Sequence, residues 1–352
     1  MFCGGIKIAR EKYYLGMVEH VFLIGGGDFM LYAAQRFLKL KFTVSLVLSQ
    51  RHADEYLPIA KNVAIDAFKK LNVSISILDT IKSYPAYPTL KGFKKKTLAL
   101  CFGPAWIFPE SFIKSFEFGM LNFNGIPVPK YLGGAHYSWQ ILNKDRSGGC
   151  VLQVITQKID RGPIIRAHYF DHSPDVRTPQ DYFISNYNEG CLFIENFIDD
   201  IKQNRPFRGT EYNQLEHSRL FFPRLFSDRN GWINWSWKAE YIERFCCAFD
   251  TPYLGAATIY GGNEVRLGAV FLETNEGKLF HPFCAGLVLR KWKAQIWVGA
   301  QAGILRVERV FSSGGDNLIP FIKEGYRFYT PNEKIEDSIT YMPQYTGVGI
   351  KT

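Results

Sequence analysis

Residues 120–165 read MLNFNGIPVPKYLGGAHYSWQILNKDRSGGCVLQVITQKIDRGPII. Met120 to Asn124 is a strand-like run that ends in two amides, Asn122 and Asn124. A loop with Pro127, Pro129, Gly133 and Gly134 follows, then a helix-like segment from Gly134 to Lys144, a strand-like Cys150 to Thr156, and Asp160 in a tight Asp-Arg-Gly-Pro turn. Side chains two apart on a strand point the same way. At the carboxyl end of a parallel strand they project into the crevice where open α/β sheets bind ligands. Amide N–H groups there suit an oxyanion, and a carboxylate on a neighbouring loop suits a proton acceptor, which are the parts needed for acyl transfer to an amine. A structural reading of the same residues stands beside this one: the asparagines close a strand-to-loop turn and Asp160 caps its own.

The alternation extends to both sides. Upstream, His20 to Ile24 ends in Gly25-Gly26-Gly27, and Asp28 is placed to cap a helix through about Leu38. Thr43 to Leu48, Val73 to Leu78 and Leu98 to Phe102 read as strands, His52 to Leu71 as a helix and Pro109 to Phe116 as a short helix. Downstream, Pro163 to Tyr169 is a further strand, and Thr178 to Gln203 a long amphipathic helix. Strands alternating with helices predict an α/β fold with a mostly parallel, Rossmann-like sheet covered on both faces. Asn204 to Gln214 is polar, with Pro206 and Gly209, and reads as a linker. Beyond it come short runs at Ala256–Tyr260, Val265–Phe271, Leu279–Phe280, Leu287–Leu289, Ala294–Val298 and Ile304–Val310. That spacing predicts a small β-barrel of about 100 residues. The expected division is therefore 1–203, a linker 204–220, a barrel domain 221–330 and a tail 331–352.

Composition narrows the function classes. A chain of 352 residues, 47% hydrophobic and 21% charged, is long enough for two domains and excludes a disordered or low-complexity protein. The net charge of +9 is spread along the chain and attracts anions without marking nucleic-acid binding. Seven cysteines with no C-x-x-C predict buried, reduced thiols. The absence of a signal-like segment or an 18-residue apolar run predicts a soluble, cytoplasmic protein with no membrane partner. The histidines are scattered, so no metal site is expected, and neither a G-x-S-x-G elbow nor a Walker loop is present. Gly25-Gly26-Gly27 fits a dinucleotide fingerprint poorly, because Met30 stands where the third glycine belongs and TVSLVLSQ offers no acid for a ribose. Lys94-Lys95-Lys96 reads as a solvated edge or loop, or as a contact for an anionic substrate.

At residues 121–165 the sequence resembles the folate-dependent formyltransferases, whose hallmark is a strand ending Asn-x-His, a Pro loop with a Gly, a helix, a strand and an Asp-x-Gly turn. Leu121-Asn122-Phe123-Asn124-Gly125 occupies the place of the Asn-x-His, Ile126 to Gly133 that of the Pro loop, and Ile159-Asp160-Arg161-Gly162 that of the Asp turn. Gly231-Trp232-Ile233-Asn234-Trp235, Arg244, Phe249, Pro252 and Gly255-Ala256 resemble the start of the smaller, OB-like β-barrel domain of the methionyl-tRNA and amino-sugar branches. The resemblance implies transfer of a formyl group from 10-formyltetrahydrofolate to a primary amine. It implies that Asn122 holds the oxyanion and that Asp160 organises proton removal. It places the folate against Gly103, Pro104, Trp106, Ile107 and Phe108, and counts Ile159 and Asp160 among its contacts.

Asn124 stands where the family has histidine, and an amide donates a hydrogen bond but does not titrate near neutral pH. The base is then Asp160, a water or another histidine, of which His136 is nearest in sequence; His168 reads as structural. The barrel speaks against the purine-pathway branch. Phe221, Phe222, Trp232, Trp235, Trp237 and Tyr241, core residues by default, favour a nucleotide-linked amino sugar as acceptor over tRNA, which calls for a basic inserted loop. Hydroxyornithine and initiator methionyl-tRNA are the alternative acceptors, a degenerate binding protein the alternative class, and a homodimer the expected partner state.

Overall fold

A computed structural model describes residues 10–13, 15, 17–83, 96–116, 118–211, 215–346 and 349–351. The strands of the first sheet are β1 (Arg10–Tyr13), β2 (His20–Gly25), β3 (Thr43–Leu48), β4 (Ser74–Ile77), β5 (Thr97–Phe102), β6 (Met120–Asn124), β7 (Ser147–Val154), β8 (Ile164–Asp171) and β9 (Phe207–Thr210). Its helices are α1 (Gly27–Lys39), α2 (His136–Leu142) and α3 (Pro179–Lys202), with a short helix Glu110–Ile113 after β5. The strand order is β1-β9-β8-β7-β6-β5-β2-β3-β4. The five strands β4, β3, β2, β5 and β6 run parallel, whereas β7, β8, β9 and β1 add antiparallel neighbours.

That order has a functional consequence. The chain passes from β2 to β3 on one side and later returns to β5 on the other, so the switch point lies between the carboxyl ends of β2 and β5. Ligands of open α/β sheets bind at such a crevice. There Gly25, at φ 127°, lies against β5 so closely that an added Cβ would stand 2.0 Å from the Phe102 carbonyl oxygen. Only glycine fits both the dihedral and the space. Val21, Leu23, Leu46, Leu100, Phe37 and Phe197 build the core on one face of the sheet, and Phe22, Ile24, Ala99, Phe112 and Phe116 on the other. Two buried faces explain why β2 and β5 are continuous apolar runs.

The second sheet holds β10 (Ala256–Tyr260), β11 (Asn263–Glu273), β12 (Val288–Trp292), β13 (Gln295–Ala300) and β14 (Gly303–Ser312), in the order β10-β11-β14-β13-β12 and wholly antiparallel. Residues 326–329 bridge its two edges: Tyr329 exchanges backbone bonds with Ile259, and Phe328 N–H donates to Gly286. Helix α4 (Ala239–Ala248) packs on this sheet through Ile242, Phe245 and Cys246. Ile141 and Tyr182 of the first sheet's helices join the same core.

Several expectations are corrected. The helix expected over His52–Leu71 is two short helices, Gln50–Asp54 and Ala64–Lys69, around a hairpin pairing Tyr56–Leu57 with Asn62–Val63. Pro58 falls between them and cannot continue a helical ladder. Asp28 does not cap α1, where Gly26 is the N-cap; its carboxylate accepts from the N–H groups of Ile59 (3.3 Å) and Ala60 (2.9 Å). The linker 204–220 is not free chain throughout: Phe207–Thr210 is β9, anchored because buried Phe207 packs on Phe197 with ring centroids 5.5 Å apart. Within the tail 331–352, Asn332–Thr340 is helical, and Asn230 Nδ2 donates to its Ser338 carbonyl at 2.8 Å. The six cysteines among the described residues are free thiols. Cys3, Lys94 and Lys95 lie outside the described residues, and Lys96 pairs with Glu19 at 2.5 Å. No described helix is long and apolar enough to cross a membrane.

Candidate active site

β6 is the last parallel strand and takes β7 as an antiparallel neighbour, with Asn122 opposite Gln153 and Asn124 opposite Val151. Asn122, Asn124 and Gln153 therefore share one face of the sheet. They form a chain of amides: Asn122 Nδ2 donates to Asn124 Oδ1 at 2.8 Å, Asn124 Nδ2 to Gln153 Oε1 at 3.5 Å, and Gln153 Nε2 to the Gly162 carbonyl at 2.9 Å. The peptide carbonyl at the far end only accepts, so it fixes the direction of every bond before it. Asn122 and Asn124 each keep a second N–H, and Asn122 Oδ1 is buried without a partner.

Gly162 belongs to the turn that carries Asp160. The turn lies so close to β7 that a Cβ on Gly162 would stand 1.8 Å from the Val154 carbonyl oxygen. Asp160, at φ 52°, makes no hydrogen bond among the described residues. Burial raises its pKa above the ordinary aspartate value, opposed by the nearby Arg219 guanidinium. The loop starts beside the first residue of β6, where Ile155 N–H donates to the Met120 carbonyl at 2.8 Å, and it is tied to the short helix after β5, where Gln157 Nε2 donates to Glu110 Oε2; Arg161 pairs with Glu216.

Opposite this loop, residues 103–109 leave the carboxyl end of β5. Gly103 is exposed at φ 56°, Pro104 and Trp106 are half-buried, and Trp106 Nε1 donates to the Asp79 carbonyl at 3.0 Å. Ile107 is 54% exposed and Ile159, on the turn of Asp160, 63% exposed. Two exposed branched side chains, on loops brought together by the Gln157–Glu110 hydrogen bond, suit a flat heterocycle. Phe108 does not share that exposure: it is buried and stacked on Phe112 at 5.6 Å, so it holds the loop to the core.

His136 opens α2, brought to the end of β6 by Tyr137, whose hydroxyl donates to the Gly125 carbonyl at 3.4 Å. Burial lowers its pKa to about 4, so it is neutral at pH 7. His168 faces away from this chemistry, paired with Glu189 at 2.9 Å on β8. No metal-binding group of three or more His, Cys, Asp or Glu exists among the described residues.

Two residues were not foreseen from sequence. Gln153 is 2% exposed and ties the asparagines to the Asp160 turn; its signal is a lone amide inside the apolar run Cys150–Ile155. His52, 6% exposed, joins the loops around the crevice. Its Nδ1 shares a hydrogen bond with Ser49 Oγ at 3.1 Å, its Nε2 accepts from Arg51 at 3.0 Å, and its ring bonds the Gly103 backbone. Burial first, then Arg51, lowers the His52 pKa from 6.5 to about 4, against the opposing pull of Gly103. The unfolded chain thus takes up a proton below pH 6.5 that the folded chain refuses. A contribution of up to about 3 kcal/mol, fully present above pH 6.5, is lost between pH 6.5 and 4. His52→Gln is expected to flatten the fall in Tm over that window, as measured by calorimetry at a series of pH values.

Comparison with known proteins agrees with this architecture. The profile of the family described as "Formyl transferase, C-terminal domain" matches residues 226–319. The methionyl-tRNA formyltransferase of Roseiflexus castenholzii is 29% identical over 152 residues, covering 42% of this chain and 46% of that protein. The chain thus spans about half the length of that curated relative. The N-formyltransferase of Helicobacter canadensis, solved with folinic acid and dTDP-3-aminofucose, superposes with a TM-score of 0.61 at 17% identity, covering 83% of this chain and 98% of that one. WlaRD, a sugar 3N-formyl transferase solved with dTDP and 5-N-formyl-THF, superposes with a TM-score of 0.59 at 18% identity, covering 83% and 97%. The C-terminal family profile, the relatives aligned by sequence and the shared fold together support the formyltransferase superfamily for this chain.

Proposed function

We propose that the protein transfers a formyl group from 10-formyltetrahydrofolate to a primary amine, and that the acceptor is a nucleotide-linked amino sugar. The observation that carries this reading is the amide chain of Asn122, Asn124 and Gln153, which ends on the turn of the half-buried Asp160. Gly103, Ile107 and Ile159 would hold the pterin, and Phe108 would support their loop from the core. Bound there, the folate supplies an activated formyl carbon. The second N–H groups of Asn122 and Asn124 donate to the oxygen on which negative charge develops. Asp160 accepts the proton that the attacking amine loses, and its raised pKa brings it nearer the pH at which a carboxylate is an effective base. The separation into a catalytic unit, 1–203, and a smaller OB-like unit, 221–330, belongs to the same reading.

The amino-sugar acceptor is supported by the fold shared with two sugar N-formyltransferases. A second reading, methionyl-tRNA as acceptor, draws on the sequence relatives. The deciding assay supplies 10-formyltetrahydrofolate with a panel of nucleotide-linked amino sugars, hydroxyornithine and methionyl-tRNA, and follows tetrahydrofolate release. Release with an amino sugar supports the proposal. Release with tRNA alone, with an affinity that falls steeply with salt, replaces it by the second reading. Folate binding without release to any acceptor points to a binding protein.

The pH profile separates Asp160 from His136. Because His136 is already neutral above about pH 4, the acid limb of kcat/KM is expected to report the carboxyl of Asp160, with activity rising as that group deprotonates. His136→Gln should leave the limb in place. A limb that disappears in that variant would return the proton to the histidine.

A further inference from the structure

We propose that the groove between α2 and α4 is a second small-molecule site, separate from the reaction centre, that takes a phosphorylated compound with a planar ring, of the mononucleotide class. Two cavities of about 280 and 330 Å³ share Arg244 as a common wall. Together they have the size of small-ligand sites.

The first cavity is cationic. It is lined by Lys144, Arg146, Arg177 and Arg244 against Glu240 and Glu243. Arg177 is neutralised by Glu243 at 2.8 Å. Among the described residues, Arg146 donates only to the backbone carbonyls of Ser173, Pro174 and Val176, and Arg244 only to those of Leu142 and Glu240. Carbonyls satisfy guanidinium N–H groups without cancelling their charge. Lys144 has no ion-pair partner among the described residues. Three cations therefore meet one unpaired carboxylate, Glu240, around a half-enclosed space. Guanidinium groups with spare charge suit a phosphate.

The second cavity is aromatic, walled by Trp237, Tyr241, Phe245 and Leu142. Tyr241 is 46% exposed and carries the Arg244 guanidinium over its ring at 4.8 Å. Trp237 is held edge-on to Phe245 at 5.2 Å. Fixed, partly exposed rings next to a cation match a nucleobase beside its phosphate. The site is distinct from the reaction centre because His136 opens α2 and Leu142 ends it, about 9 Å further along the helix axis.

The test is isothermal titration of the full chain with AMP, UMP, uridine and inorganic phosphate. AMP or UMP is expected to bind saturably, and uridine and phosphate at least about tenfold more weakly. Lys144→Asn, which keeps a residue tolerant of φ 54°, and Tyr241→Ala are each expected to weaken nucleotide binding by about tenfold with the circular dichroism unchanged. The proposal is overturned if neither mononucleotide binds at millimolar concentration, if both variants bind as the parent does, or if phosphate alone binds as well as the nucleotides.

Discussion

Asp160→Asn is expected to lower kcat/KM for formyl transfer by about 10²- to 10⁴-fold, the usual contribution of a positioned proton acceptor. Asparagine preserves the shape of the side chain and tolerates the φ of 52° found there, so the turn itself should survive. What disappears is the only group in the turn able to take a proton. The loss should fall on kcat with little change in KM for the folate, because Ile107, Ile159 and Gly103 are untouched. Steady-state kinetics with saturating donor measures both. Full activity in Asp160→Asn would remove Asp160 from the mechanism, leaving a water or another residue as the acceptor.

Gln153→Leu is expected to act on stability and turnover together. Leucine has similar bulk but leaves the Gly162 carbonyl and the Asn124 amide without their partners in a buried place. Each abandoned polar group costs about 1–3 kcal/mol. The turn of Asp160 also loses its tether to β7, and a shift of about 1 Å at a reacting group is enough for a roughly 10²-fold loss of rate. Gln153→Glu separates the two effects. An ionised glutamate keeps the outline of the side chain and an acceptor for Asn124, but presents an oxygen to the Gly162 carbonyl and repels it. Thermal unfolding and turnover measured on both variants should place Gln153→Glu at or below Gln153→Leu. If both variants unfold and turn over as the parent does, the amide chain is not what positions the turn.

The sequence reveals the parts of this molecule that follow local rules. The β2 and β5 runs are apolar throughout because both faces are covered, and the two asparagines end β6 at the spacing that puts them on one face. Long-range pairings are less legible. Phe207 looks like one apolar residue in a polar linker until the Phe197 ring it packs against is known. Gln153 is a polar interruption in a strand, and only the register opposite Asn122 makes it part of the site. Pro58 marks the break in 52–71, since proline stops a helix, although the residues around it keep a helical periodicity. Phe108 lies beside exposed Ile107 in sequence, and nothing local separates the residue that faces the crevice from the one that faces the core.

The short segment 326–329 that bridges β10 and the start of β12 carries a consequence for solubility. A strand at the border of a sheet offers unpaired N–H and C=O groups to any other extended chain, and natural proteins cover such borders. Ile259 and Gly286 have their backbone groups taken by Tyr329 and Phe328, and the Phe328 side chain is fully buried beneath them. Truncation before residue 326 would open both borders at once and uncover the hydrophobic site that Phe328 fills. The shortened chain should self-associate through β pairing, with its loss of soluble yield growing with concentration.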